Sequence, residues 1–168
     1  GEDDLSREAM DCFDREGIDI SFRAINPHAR PAQSTIIVDE THHTRTIFAS
    51  LGGAAGAAPD WPPAELISSA RVLLVDHHGV NGTLRAVRIA RENGVRIVAD
   101  FERHPGEEYD DLLSYVAHLV IPRTFAESFT GESDPDRAIE ALWNNRREAV
   151  AITCGGQGCR YRGKGYDK

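Results

Sequence analysis

Four short polar or glycine-rich sets each follow an apolar run, and they are the first places to look for side chains that do chemistry. They are Asp76-His77-His78-Gly79, Asp100-Phe101-Glu102-Arg103, Pro122-Arg123-Thr124 and Thr153-Cys154-Gly155-Gly156. The last set continues through Gln157 to Gly158. Glycines in such a turn let the backbone approach a phosphate closely and let several N–H groups converge on it, with the Thr153 hydroxyl as a further donor. The same run also reads as a tight turn into the next strand. In Asp76-His77-His78, a carboxylate and two imidazoles are groups that bind a divalent metal, although further carboxylates at ligand spacing are missing. His78 can instead hydrogen-bond a hydroxylated ligand, and a solvated strand end would need neither role. Glu127 can orient a hydrated magnesium ion or serve as a first-turn helix acid. Asp100 and Arg103 suit a hydroxyl and a phosphate, or each other as a surface ion pair. His42-His43 has nothing near it in sequence to complete a metal site and reads as exposed loop.

These positions matter because ligands of open α/β folds lie beyond the carboxyl ends of the parallel strands. Apolar runs at 71–75, 95–99, 116–121 and 149–153 read as strands, and 158–162 begins another. Helical stripes lie between them: Leu84, Val87 and Ala90 closed by Gly94; Tyr109, Leu112 and Leu113; and Ile139, Leu142 and Trp143 after Asp134-Pro135. This alternation predicts an α/β fold with a parallel sheet covered on both faces. Asp60 is expected to cap a helix whose first turn holds Pro62 and Pro63.

The first third of the chain breaks the alternation. Leu5, Ala9, Cys12 and Phe13 stripe a helix that Gly17 ends. Ile18, Ile20, Phe22 and Ala24 alternate as in a half-buried strand. Residues 34–39 and 44–49 pair as a β-hairpin around a turn at 40–43, with polar residues exposed on one face. The hairpin reads as an accessory β layer over the α/β body.

At 168 residues the chain fits one α/β domain or a large part of one, and 40% hydrophobic with 27% charged residues is ordinary for a folded domain. A net charge of −8, with arginines scattered singly or in pairs, argues against nucleic acid as a partner. An acidic protein can still hold a nucleotide, through backbone N–H groups and helix N-termini. No apolar run approaches the ~20 residues that span a bilayer. Residues 1–16 are acidic and lack the apolar segment of a signal peptide, so a cytoplasmic setting and no membrane partner are expected. Cys12, Cys154 and Cys159 form no regular disulfide framework and read as reduced thiols.

Taken in order, the segments resemble the ribokinase-like (PfkB) carbohydrate kinases over nearly the whole chain. Gly1-Glu2-Asp3-Asp4 resembles the family's G-D-D turn, and Glu16-Gly17-Ile18-Asp19-Ile20-Ser21 its x-G-I-D-x-S segment. Gln33-Ser34-Thr35-Ile36-Ile37-Val38-Asp39 and Thr44-Arg45-Thr46-Ile47 resemble its lid-proximal strands. Phe125-Ala126-Glu127-Ser128-Phe129-Thr130-Gly131 resembles x-A-E-x-L-T-G, and Ile152 to Gly158 the nucleotide segment v-T-x-G-x-x-G. The resemblance implies a three-layer α/β/α fold with a mainly parallel central sheet and a small β-hairpin lid. Residues 1–17 and 50–168 would form the body and 18–49 the lid segment. It implies transfer of the γ-phosphoryl of ATP to a sugar hydroxyl, with Mg2+. Thr153, Gly155 and Gly158 fall on the ATP side, His78 and Arg45 on the sugar side, and Glu127 is the carboxylate left for the metal. The exposed lid hairpin could pair with another subunit to make a homodimer.

Three departures accompany the resemblance. The family's catalytic aspartate motif G-A-G-D is absent, so that residue is expected downstream of Lys168 and the chain alone is expected to be inactive. The N-terminal sugar-binding strand and its G-G-x-x-x-N segment are absent as well. The N-x-x-E magnesium motif falls on Pro122, Arg123, Thr124 and Phe125. Two rival readings stay open. Asp76-His77-His78 resembles the D-H-H motif of manganese-dependent phosphoesterases, without their upstream D-x-D or downstream G-G-G-H. A non-catalytic sugar- or nucleotide-binding module fits the altered magnesium motif.

Overall fold

A computed structural model describes residues 1–53, 56–103, 106 and 108–165. The chain divides into two compact units, Gly1–Gly56 and Ala57–Lys168.

In the first unit, helix α1 spans Asp4–Arg15. Asp3 caps it, accepting from the Ser6 backbone N–H at 3.0 Å and the Ser6 hydroxyl at 2.8 Å, and these bonds hold its carboxyl below the usual range. Gly17, at φ 67°, follows the helix end as the sequence predicts. Strands β1 (Gln33–Asp39) and β2 (Thr44–Ser50) pair antiparallel, with Ile36 opposite Ile47. Asp39 closes the hairpin by accepting from the backbone N–H groups of Thr41 and His42. Both strands are exposed along their whole length, apolar Ile37, Val38 and Phe48 included, rather than on one polar face. The strand expected at 18–24 does not form. The Asp19 carboxylate accepts from the Ser21 N–H, and the Arg23 N–H bonds Ile20 O, so local turns take the donors that a ladder would need.

The second unit is a five-stranded sheet flanked by helices. Strands β3 (Val72–Val75), β4 (Arg96–Asp100), β5 (His118–Pro122) and β6 (Ala149–Thr153) lie side by side in chain order and run parallel. Strand β7 (Cys159–Gly163) returns antiparallel beside β6, with Cys159 opposite Thr153. Helices α2 (Ala64–Ser69), α3 (Val80–Glu92), α4 (Glu108–Tyr115), α5 (Arg123–Thr130) and α6 (Pro135–Leu142) join or flank the strands. Val87 and Ala90 of α3, Leu112 of α4 and Ile139 of α6 are buried in one core with Leu119, Ile121, Val150 and Ile152 of the central strands. Each large buried side chain contributes about 1.5–3 kcal/mol, which is what orders the strand ends above it.

Three local expectations change. Asp60 does not cap α2. Pro63, extended at ψ 146°, occupies the N-cap position and no side chain caps the helix, because the proline pair holds the chain out until Ala64. The first apolar run is not buried throughout: β3 is a sheet edge, and Val72 and Leu74 are exposed. Helix α5 starts directly at the end of β5, burying Phe125 and Ala126. No helix among the described residues is long and apolar enough to cross a membrane.

Candidate functional site

The end of β6 runs through Cys154 into a single 3-10 turn, Gly155–Gln157, and out through Gly158 into β7. Three backbone bonds hold the turn: Cys154 N to Gly158 O at 2.8 Å, Gln157 N to Cys154 O at 3.1 Å and Gly158 N to Gly155 O at 3.0 Å. Gly155 and Gly158 sit at φ 57° and 82°, where an L side chain is strained. Among the described residues, no heavy atom other than those of the adjoining residues lies within 4 Å of where a Cβ would stand on Gly155, Gly156 or Gly158. The turn therefore faces open space and is not sealed by neighbouring side chains. Among the described backbone bonds outside regular elements, none starts from the N–H of Gly155 or Gly156.

Beside this turn lies an open cleft of about 590 Å3, lined by Arg123, Ser133, Asp134, Asp136, Cys154, Gln157 and Arg160 among others. Register explains how distant segments meet here. Pro122 at the end of β5 pairs with Thr153 at the end of β6, so Arg123 emerges next to the glycine turn. Its guanidinium donates to Gln157 Oε1 at 3.2 Å and to the Ser133 carbonyl at 3.0 Å. Asp134 caps α6, accepting from the N–H groups of Asp136 at 2.8 Å and Arg137 at 3.4 Å, so the N-terminal end of α6 also borders the cleft. Arg123 and Arg160 favour an anion in the cleft, while the Asp134 and Asp136 carboxylates oppose it.

At the same rim of the sheet, beyond β3, the His77 and His78 rings lie 4.2 Å apart. The Asp76 carboxylate accepts from the His78 N–H at 2.8 Å, and the Tyr109 hydroxyl donates to His77 O. His78 is exposed while His77 is half-buried. Burial, then the neighbouring His78 and Arg103, push the His77 imidazole below its ordinary pKa. Three inter-strand steps separate β3 from β6, roughly 14 Å at ordinary strand spacing. The histidine pair and the glycine turn thus occupy one rim as separate stations.

Of the residues singled out in the sequence, Thr153, Gly155 and Gly158 come together at the turn. Arg45 lies on β2 of the first unit, exposed and opposite Val38. Glu127 is exposed on α5 and is not among the residues that line the cleft. At the N-x-x-E positions, Phe125 is core, Arg123 is a cation and Pro122 offers no side-chain donor atom. Among the described residues no group of three His, Cys, Asp or Glu side chains is placed to hold a metal ion. The described residues do not fit a protein-built magnesium site. The bridging contacts of Arg123, and Gln157, Ser133 and Arg160 as cleft residues, were not foreseen; an arginine directly after a strand end was the available signal.

Comparison with known proteins decides the family. The family described as pfkB family carbohydrate kinase matches residues 1–167. The chain belongs to the pfkB family of carbohydrate kinases. Among solved structures, a protein of Agrobacterium tumefaciens with a provisional ribokinase assignment is 25% identical, with a TM-score of 0.81 over 97% of this chain and 53% of its own. The ribokinase of Thermotoga maritima is 19% identical, with a TM-score of 0.75 over 100% of this chain and 56% of its own. The ribokinase of Arabidopsis thaliana, solved with ribose and ATP, is 15% identical, with a TM-score of 0.74 over 99% of this chain and 57% of its own. The chain spans little more than half the length of these structures. They share the ribokinase-like fold with this pfkB chain. No curated protein matches the chain closely enough to count as a relative.

Proposed function

We propose that this chain supplies the nucleotide-binding part of an ATP-dependent carbohydrate kinase, which transfers the γ-phosphoryl of ATP to a sugar hydroxyl. One observation carries the reading: the open glycine turn at the end of β6 borders a cleft that Arg123 and Arg160 line. Phosphoryl transfer asks a protein mainly for positioning and for charge stabilisation, and this rim offers both. Thr153, Gly155 and Gly158 take the ATP phosphates. His78 takes the sugar side beyond β3, and Arg45 does so from the hairpin. Residues 18–49 are the lid segment and residues 1–17 and 50–168 the body, and the hairpin's exposed apolar residues suit pairing with a second subunit. Glu127 is the acidic side chain that the family pattern offers a metal, yet its place on α5 leaves it off the cleft, and no step is assigned to magnesium. The setting proposed is cytoplasmic.

The test is ADP release by the full-length gene product, followed by a coupled assay over a panel of pentoses, hexoses and nucleosides. ADP release that requires one class of these acceptors is expected. Manganese-dependent cleavage of a dinucleotide without ATP would instead favour the phosphoesterase reading of Asp76-His77-His78. Ligand-induced stabilisation without any phosphorylated product would favour a binding module.

A further inference from the structure

We infer that Arg123 is a positioning residue that sets the glycine turn for a nucleotide's phosphates by tying it to the start of α6. The inference rests on the nucleotide reading of the cleft.

The base of the turn is held by the Thr153–Cys159 register pair and by Cys154 packed against the core, which leaves its tip to be held. Among the described residues, its glycines meet no atoms beyond those of adjoining residues within 4 Å of a Cβ position, and Gln157 is exposed. Its own backbone bonds close the loop on itself but do not tie its tip across to the start of α6. Arg123 does that. It begins α5 immediately after Pro122, whose register partner is Thr153, so its backbone is anchored to the strand pair from which the turn springs. From there one guanidinium reaches Gln157, 34 residues away, and the carbonyl of Ser133, 10 residues away. Ser133 precedes Asp134, the cap of α6.

A planar fork with several donors suits this task. It can hold two acceptors in fixed directions and keep N–H groups aimed into the cleft, where Arg160 also lies. A lysine, with one compact ammonium on a flexible stem, cannot fix both directions at once. The ligand class is the di- or triphosphate tail of a nucleotide. The bridge holds the two sides of the cleft, glycine turn and helix N-terminus, at the separation that the tail must span.

The test is ADP binding by calorimetry with the full-length protein, comparing wild type with Arg123→Ala, Gln157→Ala, the double variant and Arg123→Lys. Arg123→Ala is expected to weaken ADP about tenfold, the size of one lost charge-assisted hydrogen bond. Gln157→Ala should weaken it in the same direction, and the double variant no more than the worse single one, because both remove one bridge. Arg123→Lys should not restore binding. In turnover assays the KM for ATP should rise with the KM for the sugar unchanged. ADP binding as tight in Gln157→Ala and Arg123→Ala as in wild type would overturn the inference while leaving the nucleotide reading intact. So would losses that multiply in the double variant. Gln157→Ala changes an exposed turn residue and keeps the test decisive if Arg123→Ala does not fold. Failure of wild type to bind ADP would remove the nucleotide reading, and the inference with it.

Discussion

A Cβ on Gly82 would stand 2.2 Å from the carbonyl oxygen of Ala57. The first turn of α3 is thus pressed against the backbone of residues 57–58, and the same segment meets the loop beyond β3, where Ala57 N–H lies 3.5 Å from His78 O. The Thr83 hydroxyl donates to the carbonyls of His78 and Gly79 from the other side. The absence of a side chain at Gly82 therefore bears on where His78 is held.

Gly82→Ala is expected to destabilise the fold by about 1–3 kcal/mol, the usual cost of overpacking against backbone that cannot retreat like a flexible side chain. Gly156→Ala is the control. Gly156 has no positive φ and open space around it, so the change there should fall within about 0.5 kcal/mol. Urea denaturation of both variants checks the pair, and equal midpoints would mean that the 57–58 segment yields freely.

His77 gives the fold a pH dependence with a definite sign. Its Nδ1 is buried with no hydrogen-bond partner among the described residues, and burial leads the causes that push its pKa below 6.5. A base with a depressed folded pKa binds its proton more readily when unfolded. Above pH 6.5 both states are neutral at this residue and it adds no slope. As pH falls below 6.5 the unfolded state takes up the proton first, so stability drops. Melting temperatures measured from pH 7.5 to 5.5 should fall more steeply for wild type than for His77→Gln. Parallel curves would show that the imidazole stays solvated enough to titrate normally.

Arg147 is a cost that the fold carries in its core. It is 2% exposed, donates to the Val116 carbonyl and leaves its Nε without a partner among the described residues. Desolvation pushes its pKa down to about 10. Folded and unfolded chains differ in protonation at this site only above that value, so at neutral pH the burial cost is constant and gives no slope. Arg147→Met removes the charge and keeps an unbranched apolar stem that fills most of the space, though it stops short of the guanidinium, and should cost less than Arg147→Ala by about 1–2 kcal/mol. Arg147→Ala should cost about 2 kcal/mol or more, because it leaves a void behind a carbonyl that has lost its donor. Equal losses in both variants, read by chemical denaturation, would mean that the bond to Val116 outweighs the desolvation.

The sheet was readable because burial on both faces writes itself as apolar runs. The run at 149–153 returns unchanged as β6, and Asp134-Pro135 starts α6 as a cap and first-turn proline should. Residues 18–24 misled because alternation is a period without a partner: nothing in sequence showed that Asp19 and Ile20 would take the backbone donors of Ser21 and Arg23. A helix around Glu127 was one of two readings of that residue, but its start at Arg123 was hidden, since no loop separates α5 from β5 and a strand end then looks like a polar rim. At the site, the glycine turn was legible from composition alone. The bridge from Arg123 was not, because it depends on Pro122 and Thr153 being register partners, a tertiary fact that no local pattern carries.

Asp134 joins stability to binding in one side chain, and two substitutions separate them. Its carboxylate caps α6 through the N–H groups of Asp136 and Arg137, and it also lines the cleft proposed to take phosphates. Removing the cap with Asp134→Ala should cost about 1 kcal/mol of stability. Asp134→Ser keeps a capping oxygen and drops the negative charge, so its stability should stay close to wild type. Both variants remove a repulsion from the path of an anionic tail, and ADP should bind each of them a few fold more tightly at low salt, by about 0.5–1 kcal/mol, with the gain shrinking as salt screens the charge. Calorimetry at two ionic strengths, with a parallel denaturation curve, reads both effects. Weaker ADP binding in Asp134→Ser would mean that this carboxylate orders the cleft for the phosphates rather than opposing them.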